Sequence, residues 1–205
     1  KGIVKLGGYN QVITGLYLSY PSQAPAANTA AIGIELYACF QGWYSDMHVD
    51  YAQRSMTIGQ SDWDGTGQNT VFSCLFEGFY ALGWSDRCME MRTFPAGGAS
   101  STGNVMSNFY MHNNPSGVQT TQSEPLYFLD WDESHLEQFN LEWCNLNGND
   151  VMFMQRCRNF AMTSWHFEGL TISGNRGLFR PYENCVITAR AVTWTNSTLV
   201  SGARN

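Results

Sequence analysis

Two short stretches of the chain place acidic side chains around a tryptophan: Asp62, Trp63 and Asp64 in the first, and Asp130, Trp131, Asp132 and Glu133 in the second. On a strand, residues i and i+2 share one face, so both Asp would lie together and Trp opposite. Glycoside hydrolysis needs two carboxyl groups, and sugars stack on aromatic rings. We predict Asp130, Asp132 and Glu133 as catalytic, and Trp131, Asp62, Trp63 and Asp64 as substrate-binding. The alternative is a polar turn with an incidental Trp.

Two glutamates form a further set of candidates. Glu142 directly precedes Trp143, and Glu168 follows Trp165 by three residues. We predict that all four line a substrate groove. In contrast, we expect Trp43, Phe79, Phe109 and Tyr110 to be stacks in the core or at an interface.

Other catalytic and metal-binding motifs are missing. The chain has no G-x-S-x-G elbow, no phosphate-binding loop and no HExxH, and its four histidines lack ligand spacing. The Asp clusters leave a calcium role open, but no calcium loop is present. We therefore predict no metal and no cofactor.

The six cysteines show no CxxC spacing, and we expect buried free thiols, with disulfides as the alternative.

The charge of the chain is low and acidic. Charged residues make up 14%, against about 25% in an average soluble domain, and the net charge is −6 with Lys only at Lys1 and Lys5. This disfavours nucleic acid and a membrane surface as partners, because both attract clustered Lys and Arg. No apolar run is long enough for membrane insertion.

The length suits one domain, residues 1–205, which we expect to be part of a longer chain.

Short stretches with alternating apolar residues dominate the sequence, separated by Gly, Asn, Asp or Ser. This pattern predicts an all-β fold with many short strands. The best helix candidate is "DESHLEQF", residues 132–139, where Ser134 and Glu137 fit a capping box. The same stretch continues into Phe139, Leu141 and Trp143, which alternate as in a strand, so we favour a strand over a short helix here.

Internal similarity indicates how the strands are arranged. "FQGWY" at Phe40 resembles "FEGFY" at Phe76, 36 residues later, and a weaker copy, "SNFYMHNN", starts at Ser107. On this alignment Gly42 and Gly78 occupy equivalent bends. Three C-terminal segments also resemble one another, aligned either by Trp143, Trp165 and Trp194 or by Phe139, Phe160 and Cys185. The sequence does not decide between these two alignments.

Irregular repeats of about 21–36 residues predict the coils of a right-handed parallel β-helix, stacked about 4.8 Å apart. Carboxylates at equivalent positions would then lie about 5 Å apart on adjacent coils, which suits a retaining glycosidase, or about 10 Å apart on coils two apart, near the upper limit for an inverting one. The sequence does not show which acids pair. A β-sandwich is the alternative, because Asp64-Gly65 and Asn147-Gly148 could form hairpin turns.

The segments "ENCVITARAVTWTNSTL", "RCRNFAMTSWHFEGLTISGN" and "CFQGWYSDMHVDYAQ" resemble coils of pectate-lyase-like β-helices, in particular the shafts of bacteriophage tailspike or tail-fibre proteins. The resemblance covers residues 10–200. It implies a homotrimeric spike in the virion tail, outside the cell, that contacts other tail proteins and recognises, or also depolymerises, host surface polysaccharide. A purely structural shaft and a free-standing bacterial polysaccharide lyase or glycoside hydrolase are the alternatives.

Overall fold

The computed structural model describes residues 2–22, 27–28, 30–59, 69–113, 124–146, 148–172, 174 and 176–199. Their named elements are all β-strands, and no α-helix occurs among them. The strands are β1 (Gly2–Tyr9), β2 (Val12–Ser19), β3 (Ile32–Phe40), β4 (Trp43–Ile58), β5 (Val71–Phe72), β6 (Leu75–Arg92), β7 (Ser101–Thr102), β8 (Val105–His112), β9 (Leu126–Leu129), β10 (Trp131–Asp132), β11 (His135–Glu142), β12 (Met152–Gln155), β13 (Phe160–Glu168), β14 (Thr171–Ile172), β15 (Phe179–Tyr182), β16 (Ile187–Thr195) and β17 (Thr198–Leu199).

The strands stack as a parallel β-solenoid of about six turns, consistent with the predicted right-handed parallel β-helix. Row A contains β2, the first halves of β4 and β6, and then β8, β11, β13 and β16. Row B contains β1, β3, the second halves of β4 and β6, and then β9, β12 and β15. The short row C contains the ends of β1 and β3 with β5, β7 and β10.

The core is a set of ladders in which register partners from successive coils stack inside the solenoid. The central ladder of row A is Leu16, Met47, Phe79, Phe109, Phe139, Trp165 and Val192. Phe79, Phe109, Phe139 and Trp165 are at most 1% exposed. Inward-facing apolar side chains recur at the same place in each coil because every coil contributes to the same interior. The repeats in the sequence therefore arise from the inward-facing positions of the core.

Every strand of row A bends at one residue with a left-handed backbone. These residues are Gly15, Asp46, Gly78, Asn108, Gln138, Ser164 and Ala191, with φ between 52° and 73°. In each coil this residue sits between two paired residues without a register partner of its own. Gly, Asn and Asp tolerate this conformation best, whereas Ala, Ser and Gln adopt it at a cost.

The structure corrects several expectations about elements and register. The Phe40 and Phe76 copies are aligned at an offset of 32 rather than 36, because Trp43 pairs with Leu75. Gly42 therefore lies beside Cys74, where its N–H contacts the Cys74 Sγ at 3.4 Å, and Gly78 lies beside Asp46. The third copy is in register, since Phe79 pairs with Phe109.

Both C-terminal alignments were also wrong, whereas the strand favoured over a helix at residues 135–142 is confirmed. Phe139 pairs with Trp165, and Trp165 with Val192, which neither alignment predicted. Residues 135–142 form β11, because paired strands on both sides outweigh the local helix signal. The β-sandwich is excluded, since all named strand pairs are parallel. The free-thiol prediction is confirmed: all six cysteines are unbridged, and only Cys185 is not fully buried.

Candidate functional site

The Asp130 carboxylate lies in an ion pair that links two coils. Arg156 donates from Nε to Oδ1 at 2.6 Å and from Nη2 to Oδ2 at 2.9 Å, while the Gly97 N–H donates to Oδ2 at 2.8 Å. Burial alone would raise the pKa of Asp130, but the hydrogen bonds from Arg156 and Gly97 outweigh it and hold the pKa below its usual value. A carboxylate with both oxygens engaged in this way joins two coils.

Asp132 is held in the same manner by Arg158. The Arg158 backbone N–H donates to Oδ1 at 2.8 Å, and its Nη2 donates to Oδ2 at 2.5 Å. Glu133, in contrast, is exposed and accepts a long hydrogen bond from Thr102, at 3.4 Å. The structure thus places the three predicted catalytic carboxyl groups in one corner of the solenoid, where Asp130 and Asp132 are ion-paired.

Several predicted sugar-stacking residues are not accessible. Trp131 is fully buried beside Phe128, and Trp165 is 1% exposed in the central ladder of row A. The prediction that these two indoles face a ligand is therefore wrong, because both point into the core. Asp62, Trp63 and Asp64 lie outside the described residues.

A different set of polar side chains lies on the outer face of row A. Tyr17, His48, Tyr80 and Tyr110 follow one another on successive strands, with ring centroids 4.3–5.2 Å apart. We call these four residues the outer stripe. His48 Nε2 and Tyr17 Oη contact Asp50 at 2.7 and 2.6 Å. The stripe presents hydroxyl and imidazole groups along the solenoid axis.

The stripe ends at Glu142, His166 and Glu168, which we call the Glu142 cluster. Glu142 and Glu168 are register partners on adjacent strands, and His166 shares the outer face of β13 with Glu168. One ligand-type atom from each of the three residues lies within 4.8 Å of those of the other two. All three side chains are partly exposed. Glu142 and Glu168 therefore show the close approach that was predicted for carboxylates on adjacent coils.

Hydrogen bonds orient each acid of the Glu142 cluster. Tyr110 Oη donates to Glu142 Oε2 at 2.8 Å, and Asn196 Nδ2 donates to Glu168 Oε1 at 2.9 Å. Hydrogen bonds from Asn196 and from His166 lower the pKa of Glu168, which stays ionised at neutral pH. Burial, followed by the contact with Glu142, raises the pKa of the Tyr110 phenol. The tyrosine therefore acts as a donor at neutral pH.

Trp143 adds an accessible aromatic ring next to this cluster. It follows β11 with φ 55°, and 42% of the residue is exposed. The space above Gly169 is filled by the indole, since a Cβ on Gly169 would lie 2.7 Å from the ring. Glycine at 169 thus lets the indole rest on the next coil beside Glu168. Of the predicted groove residues, Glu142, Trp143 and Glu168 come together on the outer face.

Sequence reasoning missed Tyr110, His112, His166 and Asn196 as neighbours of the two glutamates. His112 Nδ1 lies 3.5 Å from Glu142 Oε2, and His166 Nε2 lies 3.4 Å from Glu168 Oε2. For His166, the sequence does contain a signal: its i, i+2 spacing from Glu168 places both side chains on one strand face. Their meeting with Glu142 depends on the 26-residue offset between β11 and β13.

The chain matches no protein-family model, no curated protein and no solved structure. Among the described residues, no helix has the length and apolar character to cross a bilayer.

Proposed function

We propose that this chain is a segment of a bacteriophage tailspike or tail-fibre protein in the virion tail, and that it recognises a host surface polysaccharide. The observation that carries the proposal is the outer face of row A, where Trp143 and the Glu142 cluster adjoin the outer stripe. Hydroxyl, imidazole and carboxylate groups suit the hydrogen bonding of sugar hydroxyls, and an exposed indole suits the apolar face of a pyranose. The β-solenoid and the low charge content are consistent with this class.

A binding assay against purified bacterial capsular polysaccharides and O-antigens tests this proposal. We expect Trp143→Ala to weaken binding to the recognised glycan about tenfold or more, which corresponds to about 1.4 kcal/mol. Tyr182→Ala is the matched control, because Tyr182 is an aromatic residue of comparable exposure, 52%, in β15 of row B. Binding that is unaffected by Trp143→Ala, or no binding to any glycan of a host-matched panel, would contradict the proposal.

The spacing of Glu142 and Glu168 favours a second candidate function, cleavage of the glycan. Retaining glycosidases place their two carboxyl groups about 5–5.5 Å apart, and these two acids meet within 4.8 Å. If the pair is catalytic, Glu142→Gln and Glu168→Gln each abolish the release of new reducing ends, whereas Asp132→Asn does not. Glycan binding without new reducing ends would leave recognition as the function and remove cleavage.

Homotrimer formation is part of the same proposal. An apolar patch surrounds the corner between rows C and A, with Tyr9, Val12, Trp43, Phe72 and Leu75 each 37–71% exposed. Val12, Trp43 and Leu75 are register partners, so the patch runs parallel to the solenoid axis. A second and third copy could cover it by aligning their axes. Sedimentation of the wild type as a trimer and of Leu75→Glu as a monomer is expected; a monomeric wild type would contradict this part.

A further inference from the structure

We infer that the Glu142 cluster binds a divalent transition-metal ion of the zinc class, through Glu142, His166 and Glu168. This site goes beyond the proposed function, because metal binding needs no glycan and is measured without one. Three observations carry the inference: the spacing of the ligand atoms, the hydrogen bonding of His166 and the partners that hold each side chain.

The spacing of the three side chains is close to that of a metal site. Zinc binds His nitrogen and carboxylate oxygen at about 2.0–2.2 Å, so two ligand atoms on one tetrahedral ion lie about 3.3 Å apart. His166 Nε2 and Glu168 Oε2 are already 3.4 Å apart. The Glu142 carboxylate lies within 4.8 Å of both. Rotation about the side-chain bonds of Glu142 would bring its oxygen to the ion.

The hydrogen bonds of His166 indicate which ring nitrogen is free to bind. Thr193 Oγ1 lies 2.9 Å from His166 Nδ1 and donates to the Trp165 carbonyl at 3.2 Å. His166 Nε2 faces the other way and lies 3.4 Å from Glu168 Oε2. Nε2 is therefore the nitrogen that would bind an ion.

Each of the three ligands has its own orienting partner. Tyr110 holds Glu142, Asn196 holds Glu168 and Thr193 holds His166, all at 2.8–2.9 Å. In metalloproteins, the ligands are commonly oriented in this way by hydrogen bonds from residues that do not themselves touch the metal. In the described part of the chain, the ion-pair partners of the two glutamates are histidines, not Lys or Arg. The site is therefore acidic, with His166 and Glu168 held close together and Glu142 as the ligand that has to rotate.

The ligand types select the class of ion. One imidazole with two carboxylates suits Zn²⁺ and similar ions, whereas Ca²⁺ takes six to eight oxygen ligands. Three protein ligands leave a coordination position for water or a ligand group. An ion would engage both glutamates, so metal binding and acid–nucleophile hydrolysis by the same pair exclude each other. The inference thus favours recognition over cleavage.

Calorimetric titration of EDTA-treated, buffer-exchanged protein with Zn²⁺ tests the site. We expect one Zn²⁺ per chain, with affinity at least tenfold lower in Glu142→Gln and in His166→Gln. His48→Gln is the matched control. His48 and Asp50 have the same i, i+2 arrangement at the equivalent ladder positions, but the register partners of Asp50 are Ser19 and Leu82 instead of a second carboxylate. Zinc affinity is therefore expected to be unchanged in this variant.

Two further measurements make each outcome decisive. Circular dichroism verifies that each variant is folded, and Glu168→Gln replaces any variant that is not. Substitution with Co²⁺ distinguishes the cluster from the cysteines, because thiolate ligands add an intense charge-transfer band and His and Glu ligands do not. The inference is overturned if wild-type protein binds no Zn²⁺, if the cluster variants bind it as wild type does, or if the thiolate band appears.

Discussion

The ring of Phe139 lies face to face with the indole of Trp165 on the next coil, with centroids 4.6 Å apart and planes inclined by 7°. On its other side, Phe139 stacks on Phe109 at the same centroid distance. The aromatic side chains of three successive coils thus form one continuous stack inside the solenoid. Each ring contributes both buried apolar area and favourable ring geometry.

Truncation of this stack at its centre should be costly. We expect Phe139→Ala to lower the free energy of unfolding by about 3–5 kcal/mol, because a cavity remains between two fixed rings. Phe139→Leu keeps most of the volume and should cost less than half as much. Denaturant unfolding followed by circular dichroism measures both changes. A loss below about 1 kcal/mol for the alanine variant would show that the coils collapse around the gap.

The bend in β11 predicts an unusual effect of glycine. Gln138 adopts φ 54°, a conformation that costs a non-glycine residue about 1–2 kcal/mol, so Gln138→Gly should stabilise the fold by about 0.5–1 kcal/mol. Glu137, its neighbour with an ordinary strand backbone, is the control, and Glu137→Gly should destabilise by about the same amount. Thermal or denaturant unfolding compares the two variants. The same sign for both would refute the role of the left-handed bend.

The ion pair of Asp130 predicts a pH-dependent contribution to stability. Asp130→Asn should lower the free energy of unfolding at pH 7 by about 1–3 kcal/mol, because a charged hydrogen-bond acceptor is lost. The pKa of Asp130 is lowered in the folded state, so the contribution is complete above the unfolded value near 3.9 and is lost as the pH falls through the folded value. The difference between wild type and variant should therefore begin to shrink below about pH 4 and disappear only below the folded pKa of Asp130. Unfolding curves from pH 7 to pH 2 test this, and a constant difference would contradict it.

The cysteines should differ sharply in reactivity. Burial raises the pKa of Cys39 and of Cys157 to about 12, so their thiolates are scarce at pH 8. Cys185 is partly exposed. A thiol reagent such as DTNB should modify one cysteine per chain in the native protein and six in denaturant. Rapid loss of several thiols under native conditions would show that the coils open readily.

The fold could be predicted from the sequence because inward positions repeat the same residue types. Phe79-Tyr80 and Phe109-Tyr110 show this directly, since both pairs are in register. The predicted offset of 36 residues between the Phe40 and Phe76 copies was wrong for a physical reason. Glycine and aspartate both adopt the left-handed bend, at Gly78 and at Asp46, so alignment by residue type matched Gly78 to Gly42, four residues away from its partner.

The candidate site could be predicted only in part. Glu142, Trp143 and Glu168 were among the groove candidates, yet the same reasoning chose Trp131 and Trp165, which point inward. A bend residue adds one position to a strand and reverses the in–out alternation after it, as a bulge does. The direction of a tryptophan therefore depends on bends that short-range periodicity does not reveal. To predict that Glu142 lies near His166, one also needs the number of residues in the coil between β11 and β13.

The stacking of parallel coils also determines how the molecule carries mechanical load. Hydrogen bonds between neighbouring coils run along the solenoid axis, as between Trp143 N–H and the Glu168 carbonyl at 2.9 Å. Tension along the axis loads these bonds coil by coil, so rupture begins at an end and proceeds stepwise. Compression is instead resisted by the close-packed interior. Such a rod is stiff when pushed against a surface and yields progressively when pulled away from it.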